Sequence, residues 1–334
     1  MPKINEIDEK DRKILTELDK NARQTDSDIA KKVGLSKQVV NYRIQKLLER
    51  GIVRNFYSVL NAGKLGFNSY YVFLQLQKTS NQEEKELLSR LKNLDYVGWL
   101  VSGIGRWDII LLLYANSILN FDRLLSNIME ICGSHLHEYN FTALISSEHI
   151  SYKFLAETRS FQGIKQIEEK TEIPKLDKAD ISILRAISQN SRASIIELSK
   201  NINETIQITR YHLKNLISQK IIEGFKPQID AKKLGYQWNL LLLQFSSVGE
   251  KRKNEFINFC KEHKKIYYVT NTIGLYNLML DVYVRSNEEF KEVLLGLKEK
   301  YSDVIKSYES FIVFDEHKIN YFPGALEIKS NIFK

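Results

Sequence analysis

Cysteine is nearly absent: the 334 residues contain two, Cys132 and Cys260. Two thiols build no disulfide framework, and their spacing suits no zinc site, so a reducing cytoplasm is the expected setting. Long apolar runs are missing as well. No stretch approaches the roughly 18 apolar residues of a membrane helix, so no membrane partner is expected. The N-terminal MPKINEIDEKDRK has no apolar core after its first lysine, which excludes a secretory leader from the expectations. No Gly-rich phosphate loop, nucleophile elbow or paired catalytic carboxylates stand out. The chain therefore reads as a non-enzyme, with no catalytic residue, no metal ligands and no cofactor.

What is present is ordinary in bulk and uneven in detail. Apolar residues make up 43% and charged residues 27%, a soluble globular balance. The length accommodates two or more domains, each with its own core. A net charge of +8 suits polyanion binding when it is concentrated. The 17 tyrosines and 16 phenylalanines are expected in core and sheet rather than as base-stacking platforms.

The concentration lies between Thr25 and Gly51. Asp8 is placed as the cap of a first helix, with Asp11 as a variant of the capping-box acid. Ile14, Leu15 and Leu18 form its apolar stripe. Thr25 caps a short second helix with Asp28 at its third position, and Ile29, Ala30 and Val33 face inward. Gly34 supplies the turn. Ser36 caps a third helix whose buried face is Val40, Ile44 and Leu47, and Gly51 sits where that helix ends. Its other face carries Lys37, Gln38, Asn41, Tyr42, Gln45 and Lys46, with Arg43 at the edge. From Ser36 to Arg54 five basic residues oppose Glu49 alone. A helix fits the major groove, where amide and guanidinium groups reach base edges while nearby lysines and arginines hold phosphates. The expected DNA contacts of this reader are Ser36, Lys37, Gln38, Asn41, Tyr42, Arg43, Lys46 and Arg54. The bland alternative is a solvated helix face.

Beyond Gly51 the pattern alternates strand, helix, strand, strand, helix, strand: about 68–78, 81–92, 96–104, 107–114, 117–131 and 135–145. That order predicts a ferredoxin-like sheet with both helices on one face. The strand Ile109 to Leu113 is apolar at every position, whereas a sheet with one wet face alternates. A second sheet of the same kind is the simplest cover. His135 and His137 are expected to begin the last strand on one face, as ordinary strand residues rather than a metal pair.

The whole pattern then repeats at an offset of 169 residues. Asp8 and Asp11 match Asp177 and Asp180, Asn21 and Arg23 match Asn190 and Arg192, and Thr25 and Asp28 match Ser194 and Glu197. Gln38, Tyr42 and Leu47 match Gln207, Tyr211 and Leu216, and Gly105 matches Gly274. One register over so many residues means duplication. The fold class is α+β: two winged-type helix-turn-helix domains, each followed by a ferredoxin-like βαββαβ domain. The expected boundaries are 1–60 and 61–150 for the first pair, a polar and partly helical connector at 151–175, then 176–229 and 230–326 for the second. In the second reader Thr205, Gln207, Arg210, Tyr211, His212 and Lys214 are the expected DNA contacts. There Gly34 becomes Asn203, Lys37 becomes Ile206 and Arg43 becomes His212. From Thr205 to Glu223 three basic residues oppose Glu223. A weaker phosphate grip and an asymmetric DNA site are expected.

The segments IDEKDRKILTELDKNARQ, IAKKVGLSKQVVNYRIQKLLERGIV, KLGF and VSGIGRWDIILLL resemble the Lrp/AsnC family of transcriptional regulators, over nearly the whole chain and twice. The resemblance implies binding of double-stranded DNA through the third helix of each reader. It also implies self-association of effector domains sheet to sheet, and a small effector such as an amino acid near domain interfaces. A usual member has one reader and needs a dimer partner; here the two halves are expected to pair within one chain. The turn Gly105-Arg106-Trp107-Asp108 resembles the family's effector loop. Arg106 and Asp108 either hold an amino acid's carboxylate and amine, or Asp108 caps the turn and Arg106 is exposed. Relatives of this fold also include the siroheme decarboxylases, which is the alternative function; the six histidines show no catalytic pattern.

Overall fold

Capping side chains and apolar stripes set the helices of each reader. The computed structural model describes residues 7–155, 163–167, 174–324 and 326. Helix α1 (Glu9–Lys20) starts where the Asp8 carboxylate accepts from the Asp11 N–H at 2.8 Å. Helices α2 (Asp26–Val33) and α3 (Lys37–Glu49) are capped by Thr25 and Ser36. Ile14, Leu15, Leu18, Ile29, Val40, Ile44 and Leu47 interlock as their shared core. Then come β1 (Val53–Leu60), β2 (Asn68–Leu76), α4 (Asn81–Lys92), β3 (Val97–Ile104), β4 (Ile109–Ala115), α5 (Ile118–Cys132) and β5 (Leu136–His149). After β6 (Ile164–Ile167) the second half repeats the order: α6 (Lys178–Gln189), α7 (Ile195–Ile202), α8 (Ile206–Ser218), β7 (Ile222–Ile229), β8 (Gln237–Phe245), α9 (Glu250–Glu262), β9 (Ile266–Gly274), β10 (Leu278–Val284), α10 (Asn287–Tyr301) and β11 (Ile305–Ile319).

The two halves pair edge to edge. Strands run β2-β4-β3-β11-β8-β10-β9-β5, and β5 also pairs with β2, so eight strands close on themselves. Each half contributes the four strands expected of it, and the seams are β3–β11 and β5–β9. The seams are copies of one another: Ile104 faces Ile312 in one, and Ala143 faces Ile273 in the other. Closure explains the unbroken apolar strands. In β4, Leu111 and Leu113 pack under α4 and α5, while Ile110 and Leu112 face the other sheet. The second sheet is thus the cover that the apolar pattern called for.

The strands that follow each reader also pair with one another. β1 and β7 form an antiparallel ribbon of their own, in which Tyr57 lies opposite its duplicate, Lys226. The pseudo-twofold axis passes through that pair. Lys226 is 3% exposed, and its Nζ donates to Asp19 Oδ1 at 3.0 Å and to the Asp19 carbonyl at 2.7 Å. The other Asp19 oxygen accepts from the Tyr152 N–H at 2.9 Å.

The described part of the connector adds a strand, and the start of β5 is corrected. Among its described residues the connector contributes no helix; it supplies strand β6, paired with the end of β5. Gln166 of β6 donates to the Leu60 carbonyl at 2.8 Å and accepts from Ser147 at 3.0 Å, which ties the connector to the core. Residues 156–162 and 168–173 of the connector lie outside the described residues. His135 does not begin β5 but sits in a 3₁₀ turn at Gly133–His135, because Gly133 breaks α5 there with φ of 54°.

Candidate nucleic-acid interface

Burial of one face of α3 decides what the other face shows. Because Val40, Ile44 and Leu47 are taken up by the core, Lys37, Gln38, Asn41, Tyr42, Gln45 and Lys46 are all exposed. Tyr42 is 62% exposed, far more than a tyrosine kept for packing. Lys46 Nζ lies 2.7 Å from Glu49 and 5.7 Å from the Tyr42 ring centroid. A surface ion pair of this kind is worth little, so the lysine is easily given over to a phosphate. Asn41 donates to Asp26 at 2.8 Å, which aims its amide along the face. Ser36 spends its hydroxyl on the Val39 N–H as the helix cap.

Two expected contacts are placed elsewhere. Arg43 turns back to α1, with Nη1 2.8 Å from Asp8 and 2.7 Å from Asp11. Asp11 therefore serves this guanidinium, and of the two copies only Asp177 and Asp180 make the reciprocal capping box. Arg54 points across the molecule to Asp230, at 2.6 and 3.2 Å, and to the Glu316 carbonyl at 3.3 Å. Both arginines hold structure together rather than standing free on the reading face.

The second reader has the same frame and a different surface. Asn203 takes the left-handed turn of Gly34, at φ 56° against 69°, so the substitution keeps the geometry. Thr205 caps α8 through the Ile208 N–H at 3.2 Å. Gln207, Arg210, Tyr211 and Lys214 are exposed, Tyr211 at 69%. His212 takes the place of Arg43 and pairs with Asp180 at 2.8 Å. Asp177, Asp180 and His212 thus gather within 4.8 Å, but they are engaged with each other through the cap and this bond. Ile206 and Ile208 make the first turn apolar where the first reader has Lys37 and Val39.

The residues that lock the readers together were visible only as an unexplained repeat. Arg23 donates to the Ser191 carbonyl at 2.5 Å and lies 5.8 Å over Phe225. Its duplicate Arg192 donates to the Ala22 carbonyl at 2.6 Å and to Asp26 at 2.5 Å, and lies 5.4 Å over Phe56. These reciprocal clamps and the β1–β7 ribbon hold the two readers about the pseudo-twofold axis.

In the loop 105–108 the two polar side chains have separate partners. Asp108 accepts from the Leu76 N–H at 2.7 Å. Its counterpart Asn277 accepts from the Phe245 N–H at 2.8 Å, so the exchange preserves the turn. Arg106 bridges Glu138 at 2.9 Å and Glu309 at 3.0 Å. Trp107 is buried and donates to Tyr276, which donates to Glu309. A Cβ on Gly105 would come within 2.6 Å of the Ser310 carbonyl, so this corner needs glycine to sit against β11. Arg106 and Asp108 thus face different partners.

Known proteins share parts of this sequence and its fold. The family model described as winged helix-turn-helix DNA-binding matches residues 7–54 and again 176–223. An uncharacterised HTH-type transcriptional regulator of Pyrococcus horikoshii is 30% identical over 139 residues, which is 40% of this chain and 89% of that protein. The HTH-type transcriptional regulator LrpA of the same organism is 32% identical over 123 residues, covering 36% of this chain and 84% of its own. The leucine-responsive regulatory protein of Rhizobium meliloti is 32% identical over 119 residues, 35% of this chain and 75% of that one. In fold, a crystal structure of the siroheme decarboxylase NirDL covers 97% of this chain and 100% of its own, with a TM-score of 0.62 at 14% identity. Among the described residues no helix is long and apolar enough to cross a membrane.

Proposed function

Because the chain belongs to the Lrp/AsnC family of HTH-type transcriptional regulators, we propose that it holds one DNA duplex with two unlike reading helices. The observation that carries this reading is the reader pair itself. α3 and α8 keep their polar faces outside, and the ribbon and the Arg23 and Arg192 clamps fix one reader relative to the other. Lys37, Gln38, Tyr42 and Lys46 would supply most of the first reader's contacts. Gln207, Arg210, Tyr211 and Lys214 would supply those of the second. One polypeptide would then do what a pair of single-reader chains does, and it would act in the cytoplasm. The unlike faces would select an asymmetric site, since operator symmetry mirrors protein symmetry. NirDL shares the fold alone.

Selection of bound duplexes from a random pool tests the proposal with the whole chain. The expected product is one strong half-site followed at fixed spacing by a weaker, different one. A pool that never enriches would overturn the DNA reading. A perfectly palindromic motif would overturn the asymmetry.

A further inference from the structure

The interior of the closed strand ring is not a plain apolar core. β10 reads LMLDVYV and is buried throughout. Its Leu278, Leu280 and Val282 pack outward under the helices, which leaves Asp281 pointing between the sheets. The duplicate position in the first half is Leu112. Asp281 has one hydrogen bond, from Trp238 Nε1 at 2.8 Å, and among the described residues no ion pair. A second acid, Glu316, lines the same cavity and accepts from Trp99 Nε1 at 2.8 Å and from Gln228 at 2.7 Å. His149 is 2% exposed with no hydrogen-bond partner on either ring nitrogen, its ring 3.9 Å edge-on to Tyr268. Buried polar atoms are rarely left so in a finished core.

The cavity these groups line measures about 60 Å³, room for roughly four waters. Tyrosines and tryptophans make up about half of its walls, with aliphatic side chains such as Leu112, Leu240 and Met279 among them, and among the described residues no lysine or arginine lines it. Its mouth is marked by half-buried Trp99, Gln228, Trp238 and Glu316. Two acids, an aromatic box and an unbonded imidazole call for a small donor-rich cation, which gains from ring faces as well as from carboxylates. They disfavour any ligand carrying a carboxylate, which would enter beside two acids with no cation to meet it. We propose that the cavity between the sheets is a binding site for a short-chain organic ammonium, held by Asp281 and Glu316, with neutral His149 accepting one of its N–H bonds. Burial holds the Asp281 carboxyl up at about 8, and it lifts Glu316 as well although Arg54 nearby pulls the other way. Burial likewise holds His149 far below its ordinary value, hence neutral. Asp281, Glu316, His149 and Trp238 stand where the duplicate half has Leu112, Ser147, Lys318 and Ser69. The site is therefore single, one per chain.

The test is direct titration of the intact chain with methylammonium and ethylammonium chloride, against sodium acetate and glycine at matched ionic strength. Tryptophan fluorescence and calorimetry report binding. Saturable binding of an amine is expected, with no saturation by acetate or glycine. Asp281→Leu, which restores the residue of the first half, should weaken the amine at least tenfold. Glu316→Gln provides a second variant with its shape kept, and it should weaken the amine in the same direction. Absence of saturable amine binding, equal binding in folded Asp281→Leu, or equally tight acetate would overturn the assignment. Binding is read on the free chain, so the outcome stands apart from the DNA reading.

Discussion

Arg43 and Lys46 stand one turn apart on α3, and their partners give them different roles. Lys46 meets an exposed glutamate of its own helix, whereas Arg43 is tied to two aspartates of α1. Replacing Lys46 with alanine should weaken DNA binding and lower the salt slope by about one, read from affinity at several salt concentrations. Arg43→Ala should leave that slope in place and instead cost about 1–2 kcal/mol of stability, because Asp11 loses its charged partner. Denaturant unfolding measures it. The helix caps and buried faces were legible in the sequence because they depend on neighbours three or four residues away. The fates of Arg43 and Arg54 were not, since their partners Asp11 and Asp230 lie 32 and 176 residues distant. Asp281 was legible in principle as a lone acid in an apolar strand. Its carboxyl, held at about 8, binds its proton more tightly folded than unfolded. Its contribution therefore falls as pH rises from about 4 to about 8, at up to about 1.4 kcal/mol per unit, and is flat above. Asp281→Asn should remove this fall, so that its stability advantage over the parent grows across that window in denaturant titrations at stepped pH.

At the scale of elements, the duplication kept backbone conformation more faithfully than residue type. Gly51 ends α3 at φ 63°, and its duplicate Lys220 follows α8 at φ 58°. A lysine there carries left-handed strain that glycine does not, so Lys220→Gly should stabilise the second reader by about 1 kcal/mol. A higher urea midpoint with unchanged slope is the expected result. The strand and helix order was readable from periodicity, but the edges at which strands of the two halves meet were not. β1 and β7, expected within separate readers, prove to be partners. Nothing in a single strand's pattern states which other edge it will meet.

For the whole molecule, the closed ring predicts that the halves do not unfold independently. Each half lends both edges of its sheet to the other, and the readers are clamped across the same axis. A single calorimetric transition is expected, with calorimetric and van't Hoff enthalpies equal. Two resolved transitions would show that the seams are weak. The buried Lys226–Asp19 pair adds a condition on who may join whom. If two first halves met, Tyr57 would face a tyrosine and Asp19 would lie buried without an ammonium. If two second halves met, Lys226 would face another lysine, with Ser188 where Asp19 is needed. Only unlike halves fit this lock, so first and second halves made as separate polypeptides and mixed should sort themselves into mixed pairs.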